Sequence, residues 1–272
     1  MTAKSTSGVV MEITGDTSDE SLYNSFKVTG VSSANNAVVT FTPMVSATWT
    51  LGTAYNTADL VKYNDKIYSR IAAGTDTGAE TPENTPASWN YVVDYAAPTK
   101  GDLVFFMDTG FYALDNNVFI IGEATGTTFE VLGAYLKSTS DVLRTYGTPT
   151  ARTYKSKGMQ KLCLASLSIS KQPPNTINIG NFKNPAKAVN GYNVTNGTMT
   201  MSGFVDIASD EYDALITAER DNIPRFFLMT LPNNGYVTAS ITISQIAQEA
   251  PIVGVSGYTV SATLNSKAIH CY

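Results

Sequence analysis

Two C-terminal stretches of this chain alternate strictly between apolar and small polar residues. Val237, Ala239, Ile241 and Ile243 alternate with Thr238, Ser240, Thr242 and Ser244, and Tyr258, Val260, Ala262 and Leu264 with Thr259, Ser261, Thr263 and Asn265. A period of two puts successive side chains on opposite faces of a strand. Each stretch therefore belongs to a sheet with one face in a core and a hydroxyl face turned to solvent or to a lumen. The elements around them follow a definite order. Residues 162–170 and 198–206 read as strands. Residues 209–221 read as a helix, with Ser209 as N-cap and Asp210 and Glu211 placing negative charge in the first turn. Tyr212, Leu215, Ile216 and the stem of Glu219 give it one apolar stripe, and Asn222 and Pro224 stop it. Residues 226–231 are almost continuously apolar, the pattern of a strand buried on both faces.

The N-terminal half is also β-rich. Residues 8–14 read as a strand, and residues 26–33 and 37–41 as a hairpin about Asn35 and Asn36. Residues 101–107 follow much later, then residues 118–132, two strands joined through Ala124, Thr125, Gly126 and Thr127. β-Branched and aromatic enrichment with glycine turns at this spacing predicts a small antiparallel barrel. Residues 138–158 are a polar stretch rich in Tyr, Thr and Arg, with Gly147, Pro149 and Gly158, and mark a boundary. The expected organisation is an N-terminal barrel domain over 1–140, an inserted module over 46–97, a connector over 141–160 and a C-terminal domain over 161–272. The fold class expected is mainly β: two packed antiparallel sheets with one short helix, plus the barrel and its inserted module.

Charge separates the halves. Residues 1–140 hold seven Lys/Arg against fifteen Asp/Glu, a net of −8, while residues 141–272 hold eleven against eight, a net of +3. No acid occurs between Val142 and Val205, where Arg144, Arg152, Lys155, Lys157, Lys161, Lys171, Lys183 and Lys187 fall. Prolines and sparse aromatics make this run a poor base-stacking platform, so contact with an acidic neighbouring subunit is the simpler reading. DNA binding stays open as the other. Charged residues make up only 15% of the chain, against roughly 25% in average proteins. That fits a virion or extracellular β-protein better than a cytosolic enzyme. The single histidine is His270, Cys163 and Cys271 are far apart, and neither a nucleophile elbow nor a P-loop is present. No catalytic residue, metal site or cofactor is expected. Nor is there an apolar run of about 18 residues to cross a membrane.

The motifs "GTMTMSGFVD" (197–206), "YDALITAERD" (212–221), "IPRFFLMTLPNNG" (223–235) and "SGYTVSATLNSK" (256–267), preceded by the long excursion at 164–192, resemble the C-terminal part of the major tail tube proteins of long-tailed bacteriophages. The resemblance implies a subunit that forms hexameric rings, stacked into the conduit for DNA ejection. Its implied partners are further copies of itself, tail proteins such as the tape measure, terminator and baseplate components, and DNA passing without sequence-specific contact. Its implied place is the virion tail, assembled in the host cytoplasm. Asn175, Ile177, Ile179, Phe182, Lys183, Lys187 and Tyr192 are the candidate assembly residues, on a loop too long for a compact monomer. "VTGVSSANNAVVTF" (28–41), "GDLVFF" (101–106) and "FIIGEATGTTFEV" (119–131) resemble a short barrel module of phage virion proteins.

Between those pieces, Trp49, Tyr55, Val61, Tyr63, Tyr68, Pro82 and Trp89 follow in an order similar to the small carbohydrate-binding modules attached to chitinases. Where chitin-binding versions carry exposed tryptophans, this chain has Ser69, Arg70, Ile71, Ala72 and Ala73. Trp49, Tyr63, Tyr68 and Trp89 either build the module's core or present flat rings to sugar C–H groups. Trp49, Trp89 and Tyr55 are the candidate sugar contacts. A virion adhesion protein that binds host-surface glycans through residues 46–97 is the alternative function.

Overall fold

Twenty-one strands and one helix form among the residues that the computed structural model describes: 10–19, 22–32, 36–43, 48–76, 81–111, 113–136, 148–155, 159–162, 164–170, 176–178, 188–190, 197–204, 209–231, 235–249, 257–266 and 268–271. In the N-terminal half these are β1 (Val10–Ile13), β2 (Tyr23–Ser32) and β3 (Ala37–Pro43). The inserted module holds β4 (Ala54–Tyr55), β5 (Leu60–Tyr63), β6 (Lys66–Arg70), β7 (Gly74–Thr75) and β8 (Trp89–Asp94). Next come β9 (Leu103–Met107), β10 (Val118–Ala124), β11 (Thr128–Leu132), β12 (Thr150–Tyr154), β13 (Gln160–Leu162) and β14 (Leu164–Ser170). The chain ends with β15 (Thr176–Asn178), β16 (Ala188–Asn190), β17 (Thr198–Phe204), α1 (Asp210–Asp221), β18 (Arg225–Thr230), β19 (Tyr236–Glu249), β20 (Gly257–Leu264) and β21 (Ile269–Cys271).

A closed six-stranded barrel runs in the order β10-β11-β3-β2-β12-β9, with β9 returning to β10. Its interior is packed solid with Phe26, Phe41, Phe106, Phe119 and Phe129, so the barrel is a core and not a ligand cup. The hairpin expected about Asn35 and Asn36 is present as the β2–β3 pair. Asn36 fastens it to the next hairpin by donating to Glu130 Oε1 and accepting from the Gly133 N–H.

The large sheet runs β13-β1-β18-β19-β20-β17-β14, with β21 also paired to β19. Its two ends are consecutive in sequence: β13 and β14 are separated by residue 163 alone, yet pair with β1 and β17 at opposite ends. The sheet therefore folds over itself, and this stretch passes from one layer to the other, as corner-making strands do. β19 crosses in the same way, pairing β18 through Tyr236–Ile241 and β20 from Ile241 onward. The core between the layers contains Met11, Ile13 and Leu162 from one, Met199, Met201, Val260 and Ala262 from the other, and Leu215 and Ala218 from α1. The helix forms as its sequence predicts. The Ser209 side chain accepts from the Tyr212 N–H at 3.2 Å, and Asn222 ends the helix in the left-handed conformation at φ 55°.

The sequence-based boundaries shift in three places. β1 pairs with β13 and β18 in the large sheet, not with the barrel, because Met11 and Ile13 fill the sheet core. β12, inside the expected connector, completes the barrel between β2 and β9. The single strand expected over 162–170 is two strands with different partners. β18 is buried on both faces as its composition predicts. Phe227 enters the sheet core, while Phe226 and Leu228 join Tyr23, Leu103, Val118, Ile120 and Tyr154 where the barrel docks. Phe226 stacks on Phe105 at 5.2 Å, and Thr238 Oγ1 donates to the Val118 carbonyl at 2.6 Å across the same junction. Burial there pushes the Tyr154 phenol well above its usual pKa.

Candidate functional site

The outward face of the half-sheet β14-β17-β20-β19 is built from small neutral side chains. β14 contributes Ser166, Ser168 and Ser170, opposite Ser202, Thr200 and Thr198 of β17. β20 adds Thr259, Ser261 and Thr263, and the facing part of β19 adds Thr242, Gln245 and Ala247. The opposite positions, Met199, Met201, Tyr258, Val260, Ala262 and Leu264, are all buried, which fixes the hydroxyls on the outside. Several hydroxyls are satisfied locally: Ser166 Oγ lies 2.7 Å from Ser202 Oγ, Asn265 donates to Thr242 Oγ1 at 2.7 Å and Ser244 Oγ donates to the Ser261 carbonyl. Among the described side chains of this face there is no charge. Gly203 is required by the packing beneath, since a Cβ there would meet the Tyr258 ring at 2.7 Å.

The edges of this half-sheet differ. On the β19 side, α1 covers the ladder, and Glu219 Oε1 accepts the Ile246 N–H at 2.8 Å. On the β14 side no described strand pairs beyond it. Residues 164–170 contain no charge and no proline, two common means by which edge strands resist pairing with another chain. Of the expected assembly residues, Ile177 lies in β15, which pairs with β16 as a two-stranded ribbon. Asn175, Ile179, Phe182, Lys183, Lys187 and Tyr192 lie outside the described residues.

The inserted module is organised around an acid that sequence reasoning did not single out. Asp76 accepts the indole N–H of Trp49 at 2.9 Å and of Trp89 at 2.8 Å on Oδ2, while Arg70 Nη1 reaches Oδ1 at 2.5 Å. Arg70 also donates through Nε to the Ala72 carbonyl and lies over the Trp89 ring at 4.8 Å. Burial alone would raise the Asp76 pKa. Hydrogen bonds from Trp49, Arg70 and Trp89, with the Arg70 charge, outweigh it and hold the carboxyl below its ordinary value. The aromatics belong to this core. Trp89 is 2% and Tyr55 8% exposed, with their rings edge to face at 5.1 Å. The Tyr55 hydroxyl bonds the backbone N–H and carbonyl of Thr50. Trp49, half-buried, meets Tyr63 at 5.2 Å. Trp89 and Tyr55 thus have no open ring face for a sugar to stack on, because their rings are occupied in holding the module together. The aromatic left open is Tyr91, 53% exposed, two residues beyond Trp89 on β8. Its i+2 spacing from the buried Trp89 would by simple alternation put it on the same inner face, so no sequence signal marks its exposure, and β8 pairs with β6 through a register shift there.

Among the described residues no cluster of three or more His, Cys, Asp or Glu is arranged to hold a metal, and no helix is long and apolar enough to cross a membrane.

The family model for carbohydrate-binding module family 5/12 matches residues 48–90. No curated protein matches the chain. Solved structures with similarity to it include the virion of a native gene transfer agent particle, with 13% identity and a TM-score of 0.35, covering 43% of this chain and 92% of that one. A second is the tail of an empty gene transfer agent particle refined with C6 symmetry, at 16% identity and TM-score 0.34, covering 42% and 86%. A third is the sheath–tube complex of an extracellular contractile injection system in its extended state, at 12% identity and TM-score 0.30, covering 40% and 81%.

Proposed function

We propose that this chain is a structural subunit of a virion tail tube and that its function is to assemble. The observation that carries the reading is the uncharged hydroxyl face bounded by β14, an edge strand with no further strand partner among the described residues. An edge with free backbone donors and acceptors, and neither charge nor proline to blunt it, is suited to adding a strand from a second copy. Repetition around a ring removes every such edge, and six copies is the number the sequence resemblance implies. The hydroxyl face then lines the hollow. A lumen without fixed positive charge suits passing DNA, because each lysine or arginine there would engage a phosphate and hold it. Rings stack into the conduit for DNA ejection, joined at their ends to the other tail proteins, and assembly takes place in the host cytoplasm. The excursion over 175–193, which includes the β15–β16 ribbon, is the proposed contact between subunits or rings.

Sedimentation of the full chain beside a variant lacking residues 175–193 tests this. The full chain forms large assemblies and the deletion leaves a soluble monomer. Unchanged assembly by the deletion variant removes the excursion from the contact, and a full chain that stays monomeric at all concentrations contradicts the subunit role.

A second reading is favoured by the family match over 48–90: the inserted module recognises a glycan. The two roles are compatible, because the module stands on the barrel and contributes no strand to the large sheet.

A further inference from the structure

Two grooves meet at Tyr91. One, about 470 Å³, lies on the module and is lined by Lys66, Glu83, Pro86 and Trp89 together with Tyr91 and Asp94. The other, about 250 Å³, lies between the module and the rest of the protein and is lined by Leu22, Asn24, Ala96 and Lys155, again with Tyr91 and Asp94. Sharing those two residues makes them neighbouring parts of one cleft, within the range of roughly 300–1,000 Å³ in which small ligands are held. We infer that this cleft is an oligosaccharide site, shared between the inserted module and the body of the protein and centred on Tyr91. This rests on the reading of the module as a glycan binder and moves the stacking ring from Trp49, Trp89 and Tyr55 to Tyr91; Trp89 also lines the module-side groove but is only 2% exposed.

The chemistry of the cleft selects the ligand class. Tyr91 offers an open aromatic face, braced edge to face by Tyr68 at 6.1 Å, and its hydroxyl donates to Asp94 Oδ1 at 3.1 Å. The bracing holds the ring in one orientation, so little freedom is lost on binding. Leu22, 42% exposed, gives the body side an apolar surface, and the exposed Pro86 does so on the module side. The cationic groups are already engaged. Lys66 pairs with Glu83 at 2.8 Å, and Lys155 donates to Asp102 and to the Ala97 carbonyl. A site with its cations paired, open acceptors on Asp94 and apolar patches at both ends suits a neutral ligand rich in hydroxyl and amide donors with flat C–H faces. An N-acetylated oligosaccharide has that chemistry. The position of the cleft is stabilised by Asn24, whose amide donates to the Asp94 carbonyl at 3.3 Å and accepts from the Ala96 N–H at 3.4 Å, pinning the module's exit to β2.

The test is calorimetric titration of the full chain with chitohexaose and chitobiose, using Tyr91→Ala, Tyr91→Phe, Leu22→Arg and Ile71→Ala. Ile71 is exposed on the stretch where the sequence pattern would otherwise put the sugar. Loss of the Tyr91 ring weakens chitohexaose by about tenfold or more, Tyr91→Phe keeps most of the affinity and Ile71→Ala leaves it unchanged. Leu22→Arg weakens chitohexaose but not chitobiose, because only the longer ligand reaches the body side. Tryptophan fluorescence establishes that the module is folded in the Tyr91 and Ile71 variants, since both tryptophans lie in it, and an unchanged thermal unfolding curve by circular dichroism does so for Leu22→Arg. Full affinity in Tyr91→Ala, or loss in Ile71→Ala, overturns this cleft while leaving the module a glycan binder. Absence of binding by the unmodified chain, repeated with cellohexaose, overturns the glycan reading itself.

Discussion

Glu219 on the helix accepts the backbone N–H of Ile246 on β19 at 2.8 Å, beyond Ile241, where the pairing of β18 with that strand stops. A side chain from α1 thus stands in for a missing strand, and one edge of the half-sheet is closed within the subunit. The β14 edge has no such cover among the described residues. Among the described residues, then, the two edges of this half-sheet differ: the β19 edge is capped by a helix side chain and the β14 edge is not.

Glu219→Ala leaves the Ile246 N–H without its charged acceptor, at a cost of about 1.5–3 kcal/mol. Hydrogen exchange at the Ile246 amide accelerates and the urea midpoint falls. Glu219→Gln, which keeps an acceptor oxygen, retains most of the protection.

Asp76 makes the module sensitive to acid. Its folded pKa lies below the ordinary 3.8, so its stabilising contribution is fully present above about pH 4 and is lost as pH falls through the lowered folded value. Tryptophan emission, which reports the module alone, shifts to the red at that low pH. In Asp76→Ala the buried Arg70 and two indole N–H groups lose their partner, costing about 3–5 kcal/mol, and the module is unfolded at neutral pH. Emission in Asp76→Ala identical to that of the unmodified protein contradicts this.

Phe226 couples barrel to sheet through its stack on Phe105 and its edge contact with Tyr154 at 4.8 Å. Phe226→Ala costs about 3–5 kcal/mol. It separates thermal unfolding into two transitions in calorimetry, where the unmodified chain shows barrel and sheet melting together.

The fold was legible where its signals are local. Ser209, Asn222 and the apolar stripe define the helix, and the alternation in β19 and β20 fixes which face is buried. Even so, Ala218, fully buried against β19, is too small to stand out in that stripe. Long-range pairings were not legible. Val10–Ile13 is too short to show which distant strand it joins, and only its register against β18, with Met11 opposite Met229, places it in the C-terminal sheet. β12 was missed because its inward residues include Ala151 and Thr153, which carry no hydrophobic signature. In the module, Trp49, Tyr63, Tyr68 and Trp89 pack in one cluster, the core arrangement that their order in the sequence allows, but the sequence does not show what ties them together. The tie is Asp76, an acid whose role follows from two tryptophans brought together by folding.

Thr200 lies on the hydroxyl face opposite Ser168 and Ser261. Thr200→Lys leaves the subunit folded and able to assemble, but its assemblies co-sediment with DNA at low salt and release it as salt rises. Assemblies of the unmodified chain do not retain DNA. Equal retention by both contradicts the proposed neutral lumen.

Electron cryomicroscopy of the purified full chain, at a resolution that traces strands, decides whether the chain builds a tube. The expected images are hollow six-fold tubes or rings in which β14 pairs with a neighbouring copy and Thr198, Thr200, Ser261 and Thr263 face the hollow. Monodisperse single chains, or a tube whose hollow is lined instead by unpaired lysines, would contradict the proposed subunit role.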